Sequence, residues 1–350
     1  MSTVMDFFAA ANGYDGFRSY FNQVFNSEVF DKVYVIKGGP GTGKSSFMKK
    51  IVERYSDREY LTECIHCSSD PNSLDGVIIT SGDKKIALLD GTAPHERDAV
   101  VVGAIDEIIN LAEGLDMRFL HAERKEILAL SKEKKRAYDI AYAYLKIAGE
   151  TQKLKRRSSL KYDIKKFKNK IKNLAEIKKS VSTNNVKIRL ISSFGCGGIK
   201  NLDTLFDISE RVFSITGDYY RATSLMNEVR LFAEEEGTEI IICPAVFDGS
   251  CIEAIYFPAT HLTFTVGGNG EKILTDNYFP TSDRTDNEIS KKADELSREA
   301  FSEAQRWFAI ASDFHFRLEE KYVHAMDFSH NEEIFNKKAT EIDNILQSLV

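Results

Sequence analysis

Val33-Tyr34-Val35-Ile36-Lys37-Gly38-Gly39-Pro40-Gly41-Thr42-Gly43-Lys44-Ser45-Ser46-Phe47-Met48 decides the fold. It opens with a short apolar, β-branched run that reads as a buried parallel strand. A glycine-rich turn follows. Phe47, Met48, Ile51 and Val52 then recur at helical spacing, the signature of an amphipathic helix. Strand, glycine loop and helix in this order match Gly-x-x-x-x-Gly-Lys-Ser, the Walker A pattern.

Each residue of the pattern has a mechanical reason. Gly38, Gly39, Gly41 and Gly43 let the backbone turn tightly, so that successive N–H groups point inward at an anion. Pro40, Thr42 and Ser46 complete the phosphate-facing set. The helix starting near Lys44 adds the positive end of its dipole. Lys44 reaches the β- and γ-phosphates as a point charge, and the Ser45 hydroxyl can ligate Mg²⁺. Ile86-Ala87-Leu88-Leu89-Asp90 reads as a second buried strand ending in a carboxylate. Asp90 is therefore expected to hold Mg²⁺ through water, although Asp90-Gly91 is also a common turn pair. Gly91 stands where many P-loop ATPases carry a glutamate. The base is sought instead in His95 or Glu96, or in Asp70 of the turn-like Ser68-Ser69-Asp70-Pro71-Asn72.

Outward from this centre the chain repeats. Cys64-Ile65-His66-Cys67 reads as a strand and Val77-Ile78-Ile79 as a short edge strand. About 103–180 reads as helical, with Leu160, Ile164, Phe167, Ile171 and Leu174 forming the seam of a helical hairpin. Then Arg189-Leu190-Ile191-Ser192-Ser193 echoes Phe7-Phe8-Ala9-Ala10-Ala11. Arg211-Val212-Phe213-Ser214-Ile215-Thr216-Gly217 echoes Lys32 to Gly38, and Thr238 to Cys243 echoes Thr62 to Cys67. Leu262 to Gly267 echoes Ile86 to Gly91, and a second helical region covers about Asn287 to Leu349.

The expectation is α/β architecture: tandem P-loop NTPase-like three-layer units with parallel sheets, each with a helical hairpin. The units are 1–185 and 186–350, and the second is degenerate. Its loop, Gly217 to Ser224, is one residue shorter, with Ala222 in the place of Lys44 and Val266 in that of Asp90. Asp218 puts a negative charge where phosphate would lie. Arg221 is weighed as an arginine finger toward the first site or as a fold-supporting residue.

The 350 residues are 43% hydrophobic and 29% charged with net charge −6, within the ordinary range for a soluble protein. No stretch approaches the ~18 apolar residues of a membrane span. The first residues show no signal-peptide pattern. Five cysteines form no disulfide framework, and a reducing, cytoplasmic setting is expected. Cys64-x-x-Cys67 lacks a second pair for Zn²⁺ and reads as buried strand cysteines. Arg124 to Lys179 holds nineteen Lys or Arg against six Asp or Glu. That face can meet nucleic acid, but few aromatics interleave, so a solvated helix face, or one that docks an acidic partner such as the acidic remainder of this chain, is preferred.

Phe7-Phe8-Ala9-Ala10-Ala11-Asn12, Lys37 to Ser45, His66-Cys67-Ser68-Ser69-Asp70-Pro71 and Leu89 to His95 together resemble a family of tandem P-loop ATPases from Gram-positive, often spore-forming bacteria. The resemblance covers most of the chain. It implies ATP as the ligand and names no substrate. Some members have a better-preserved second loop, and this sequence departs from them there, which argues against a two-site mechanism.

The sequence thus points to a Mg-ATP-binding ATPase that couples binding and hydrolysis to conformational change. A small-molecule kinase and a non-catalytic ATP-gated binding protein are the alternatives. GTP is disfavoured because no Asn-Lys-x-Asp base-reading motif occurs.

Overall fold

The computed structural model describes residues 3–56, 58–94, 97–155, 162–175, 186–279 and 287–347. The first repeat begins with β1 (Thr3–Phe8), the hairpin β2 (Ala10–Gly13) and β3 (Gly16–Ser19), and α1 (Phe21–Val24). It continues through β4 (Lys32–Lys37), α2 (Lys44–Tyr55), β5 (Leu61–His66), β6 (Leu74–Ser81), β7 (Lys84–Asp90) and β8 (Asp106–Asn110). It closes with α3 (Met117–Ala122), α4 (Arg124–Lys153) and α5 (Ile164–Ala175). The second repeat runs β9 (Val186–Ile188), β10 (Ser192–Gly195), β11 (Gly198–Asn201), α6 (Thr204–Asp207), β12 (Arg211–Thr216) and α7 (Tyr219–Glu235). Then come β13 (Ile240–Pro244), β14 (Ile252–Phe257), β15 (Leu262–Val266), β16 (Glu271–Leu274), α8 (Asn287–His324) and α9 (Phe328–Gln347).

The two six-stranded sheets have one topology, β1-β5-β6-β7-β4-β8 and β9-β13-β14-β15-β12-β16. The tandem repeat read from the sequence is therefore present strand by strand, and among the described residues α3 has no counterpart between β16 and α8. The sheets are mixed, not parallel throughout. β6 pairs antiparallel with both β5 and β7, while β1–β5, β4–β7 and β4–β8 are parallel. β6 is consequently a central strand and not the short edge expected from Val77-Ile78-Ile79. The helical expectation from residue 103 also needs correction at its start, because Asp106–Asn110 is the β8 edge strand against β4.

Strand alternation sorts side chains to two faces. Tyr34 and Ile36 face outward with Phe47, Met48 and Ile51 of α2, and with Ile342 and Leu346 of α9. Val33 and Val35 face inward in one cluster with Ile241, Cys243, Ala254 and Tyr256 of the second sheet. The first sheet thus carries α2 and α9 on its outer face, and the second carries α7 and α5 on its own. The inner faces share a core that also receives Phe21 of α1 and Leu205 of α6. Two separate three-layer units are not formed.

The hairpin expectation is corrected in the same way. α4 packs antiparallel along α8, with Lys321 ion-paired to Glu123 at 2.9 Å near one end and Lys155 to Asp294 at 2.7 Å near the other. Tyr138 and Tyr142 meet Phe308 across this seam. Phe167, Ile171 and Leu174 of α5 bury against α7 and the second sheet. Leu160 lies outside the described residues. The last helix of each repeat therefore covers the sheet of the other.

Among the described residues, no helix is long and apolar enough to cross a membrane.

Candidate functional site at the glycine loop

β4 pairs with β7 so that Ile36 lies opposite Asp90, and the Gly91 N–H donates to the Ile36 carbonyl at 2.9 Å. Asp90 thus ends its strand where the chain leaves β4 for the 38–43 loop. Gly41 and Gly43 hold left-handed φ of 69° and 86°, a region that favours glycine. Gly43 is followed at once by Lys44, the first residue of α2.

Lys44 Nζ donates to the Gly39 carbonyl at 2.8 Å and lies 3.6 Å from Asp90 Oδ2. Asp90 Oδ1 accepts from the Thr92 N–H at 2.8 Å and from its hydroxyl at 2.5 Å. One carboxylate oxygen therefore builds the turn while the other faces the lysine. Ser45 Oγ accepts from the Leu74 N–H at 2.9 Å, which leaves its proton and a lone pair for other partners. Thr42 is buried and donates to the Gly39 carbonyl, whereas Ser46 is exposed. Lys44 and Ser45 thus open α2 beside the end of the strand that carries Asp90. His95 and Glu96 lie outside the described residues.

Sequence reading missed what covers the loop. A methyl group on Gly39 would stand 2.6 Å from the Tyr322 ring, and one on Gly41 would stand 2.9 Å from both the Glu319 carbonyl and the Val323 side chain. One on Gly43 would meet Asn331 Nδ2 at 2.9 Å. Asn331 donates to the Thr42 carbonyl, also at 2.9 Å. Phe335 packs edge-on against Phe47 at 5.6 Å, and Tyr55 donates to Asp343 at 3.0 Å. The end of α8 and the start of α9, both from the second repeat, sit directly on the loop and zip along α2. The loop glycines are required for this close approach as well as for the turn.

A titratable cluster continues the site. Burial raises Glu319 above the ordinary carboxylate value, although the Gly41 N–H and Lys44 pull the other way. His315 is lowered to about 4 by burial and by the Lys134 and Lys44 cations. Lys134 Nζ lies 3.4 Å from His315 Nδ1. An ammonium has no acceptor, so Nδ1 carries the lone pair and the proton sits on Nε2, which lies 3.7 Å from Glu319 Oε1. Asp70 contributes its field here, while its Oδ1 accepts from the Asn72 N–H and its backbone makes the expected turn.

The second repeat closes its equivalent corner. Only Gly217 and Asp218 separate β12 from α7, so part of the loop is rewound into helix. Asp218 Oδ1 caps α7 by accepting from the Arg221 N–H at 3.0 Å. Val266 lies opposite Ile215, the register held by Asp90 and Ile36 in the first repeat. Arg221 is buried, 3.6 Å from Asp276 and over the Phe279 ring at 5.2 Å. It supports its own unit and is no finger toward Lys44.

All five cysteines are free thiols, and no three His, Cys, Asp or Glu among the described residues gather as metal ligands. The basic stretch is partly answered within the chain, by Lys155–Asp294 at 2.7 Å and Lys168–Glu235 at 2.8 Å. Arg156, Arg157 and Lys179 lie outside the described residues. No family model, curated protein or solved structure matches the chain.

Proposed function

We propose that the chain binds Mg-ATP at the Gly38–Ser45 loop and passes the nucleotide state through α8 to the α4–α8 pair. The observation carrying this reading is the position of Glu319, Tyr322 and Val323 of α8 on the same loop that holds Lys44 and faces Asp90. A triphosphate taking the loop amides has to displace the Glu319 carboxylate and the Tyr322 ring. Binding therefore does work on α8. Mg²⁺, if held at this corner, would supply positive charge against the negative charge that develops in phosphoryl transfer. Ser45 and Asp90 supply hard oxygen donors for it, and Lys44 exchanges its carbonyl partners for phosphate oxygens. Glu319, kept basic by burial, is the carboxylate assigned to take a proton from water.

The experiment uses the single tryptophan, Trp307, which lies on α8. Its fluorescence is followed during Mg-ATP titration together with calorimetric binding and phosphate release, for wild type, Lys44→Ala and Asp90→Ala. Wild type is expected to bind, to release phosphate and to change Trp307 emission. Lys44→Ala is expected to lose binding and Asp90→Ala to lose turnover. Absence of nucleotide binding by wild type removes the reading. ADP formed without free phosphate would replace hydrolysis by transfer to an acceptor. Binding with a fluorescence change and no turnover would leave an ATP-gated binding protein.

A further inference from the structure

The corner of the second repeat that has lost its glycine loop still holds a cavity, of about 430 Å³. That volume falls in the range of small-molecule sites. The cavity occupies the place in its repeat that the Lys44 corner occupies in the first. The start of α7, the segment after β13 and the end of β15 all line it, and the tail of α4 lies across it as α8 lies across the first loop.

Its chemistry is the opposite of a phosphate site. Asp218 caps the α7 N-terminus, the position where an anion would otherwise bind. Glu253 projects from β14 into the cavity and accepts from Ser192 Oγ at 2.5 Å, and Asp248 adds a third carboxylate. The one lysine among the described lining residues, Lys155, is 2.7 Å from Asp294. The walls are aromatic. Tyr14 stacks on Phe247 at 5.6 Å with a 16° interplanar angle, and Phe247 meets Phe301 at 4.6 Å. Tyr219 closes the rim edge-on to Tyr220 at 5.4 Å. Carboxylates beside π faces, in a small cleft open on one side, select a cation with an apolar body.

We propose that this cavity is a second ligand site, distinct from the Gly38–Ser45 loop, for a small organic cation: a protonated amine carried on an aromatic or aliphatic frame and bearing no phosphate. Glu253 is the counter-charge. Tyr14, Tyr219 and Phe247 supply the faces. The site stands or falls independently of nucleotide binding at Lys44.

Three probes share one ring and differ in charge: tryptamine, indole and indole-3-acetate. Their binding to the full chain is measured by calorimetry, with tetramethylammonium as a minimal cation. Tryptamine is expected to bind more tightly than indole, and indole-3-acetate not at all. Glu253→Gln keeps the shape and the Ser192 contact, and is expected to weaken tryptamine about tenfold while leaving indole unchanged. Tyr219 is 45% exposed, so Tyr219→Leu is tolerated by the fold and removes only a π face. It is expected to weaken both cations. Failure of tryptamine and tetramethylammonium to bind at millimolar concentration overturns the proposal. So does equal or tighter binding of indole-3-acetate, or a folded Glu253→Gln chain with unchanged tryptamine affinity.

Discussion

Phe8 and Leu190 hold equivalent positions in the two repeats and hydrogen-bond to each other, Phe8 N to Leu190 O at 2.8 Å and Leu190 N to Phe8 O at 2.9 Å. Contact of a position with its own counterpart is what a two-fold relation requires on its axis. Both side chains are fully buried, in a cluster with Ala141 and Leu145 of α4 and Ala304 and Phe308 of α8. The α4–α8 pair follows the same relation, as does the exchange of α5 and α9. The chain is built as a symmetric dimer is built, with its two copies joined by covalent linkage.

The exchange of terminal helices makes the halves mutually dependent. Residues 1–185 alone would leave Tyr34, Phe47 and Met48 without Ile342 and Leu346, and would leave α5 without α7. Either half expressed alone is expected to give a poorly dispersed amide spectrum and no cooperative melt. Halves expressed together are expected to copurify and recover the spectrum of the whole chain. A cooperative melt from the isolated first half would refute this dependence.

Glu63 on β5 and Arg189 after β9 form a second link between repeats, with Nε to Oε2 at 2.6 Å and both groups buried. Burial pushes the Glu63 carboxyl up, but Arg189 overcomes this and holds it below the usual 4.5. The folded state thus binds this proton less readily than the unfolded state. The resulting stability is present above pH 4.5 and is lost as the pH falls through the lowered value. Arg189→Ala leaves a buried carboxylate unpaired and is expected to cost about 3–5 kcal/mol in urea unfolding at pH 7. The loss should shrink as the pH falls below 4.5. A pH-independent loss would mean that Arg189 acts by packing alone.

Much of this was legible in the sequence, and the exceptions have physical causes. The strand at Val33–Ile36, the glycine loop and the α2 periodicity are local signals, and they survive in the fold. β8 escaped because Ile108-Ile109 is a short apolar run among Asp106, Glu107 and Asn110, adjoining a long helical pattern. β6 reads as an edge from sequence alone, because an antiparallel strand inserted among parallel ones leaves no mark in periodicity. Apolar spacing revealed which face of α5 and α9 is buried, but carries nothing about which sheet covers it. Glu319, Tyr322 and Asn331 were missed for the same reason, since they reach the loop only through that exchange.

Glu319 faces the Gly41 amide and Lys44, where the proposed triphosphate would bring its own charge. Its ionised form competes with that anion. Lowering the pH toward Glu319's raised value neutralises it, so affinity for Mg-ADP is expected to rise from pH 7 to pH 5 in wild type. Glu319→Gln should bind more tightly at pH 7, by about three- to tenfold, and lose most of that slope. If Glu319 is also the base, the same variant releases phosphate more slowly despite binding better. Parallel pH profiles in wild type and variant would remove Glu319 from the loop's electrostatics.

Gly39 tests the packing of α8 on the loop without any ligand. It is not among the glycines with positive φ, so alanine there meets no backbone penalty. The cost of Gly39→Ala is then steric, because the new methyl group would stand 2.6 Å from Tyr322 Cε1 and 2.7 Å from Cδ1. Either the loop or the end of α8 must shift, and overpacking of this kind costs about 1–3 kcal/mol. Tyr322→Ala alone removes ring contacts and is also expected to destabilise. The double variant gives the methyl group its space back, so the two losses should fall short of additivity by about 1 kcal/mol or more in thermal unfolding. Strict additivity would mean that the ring and the loop do not touch. A coupling of this size, together with altered Trp307 emission in Gly39→Ala alone, would mean that a disturbance at the loop travels along α8. That is the property a nucleotide switch at this corner requires.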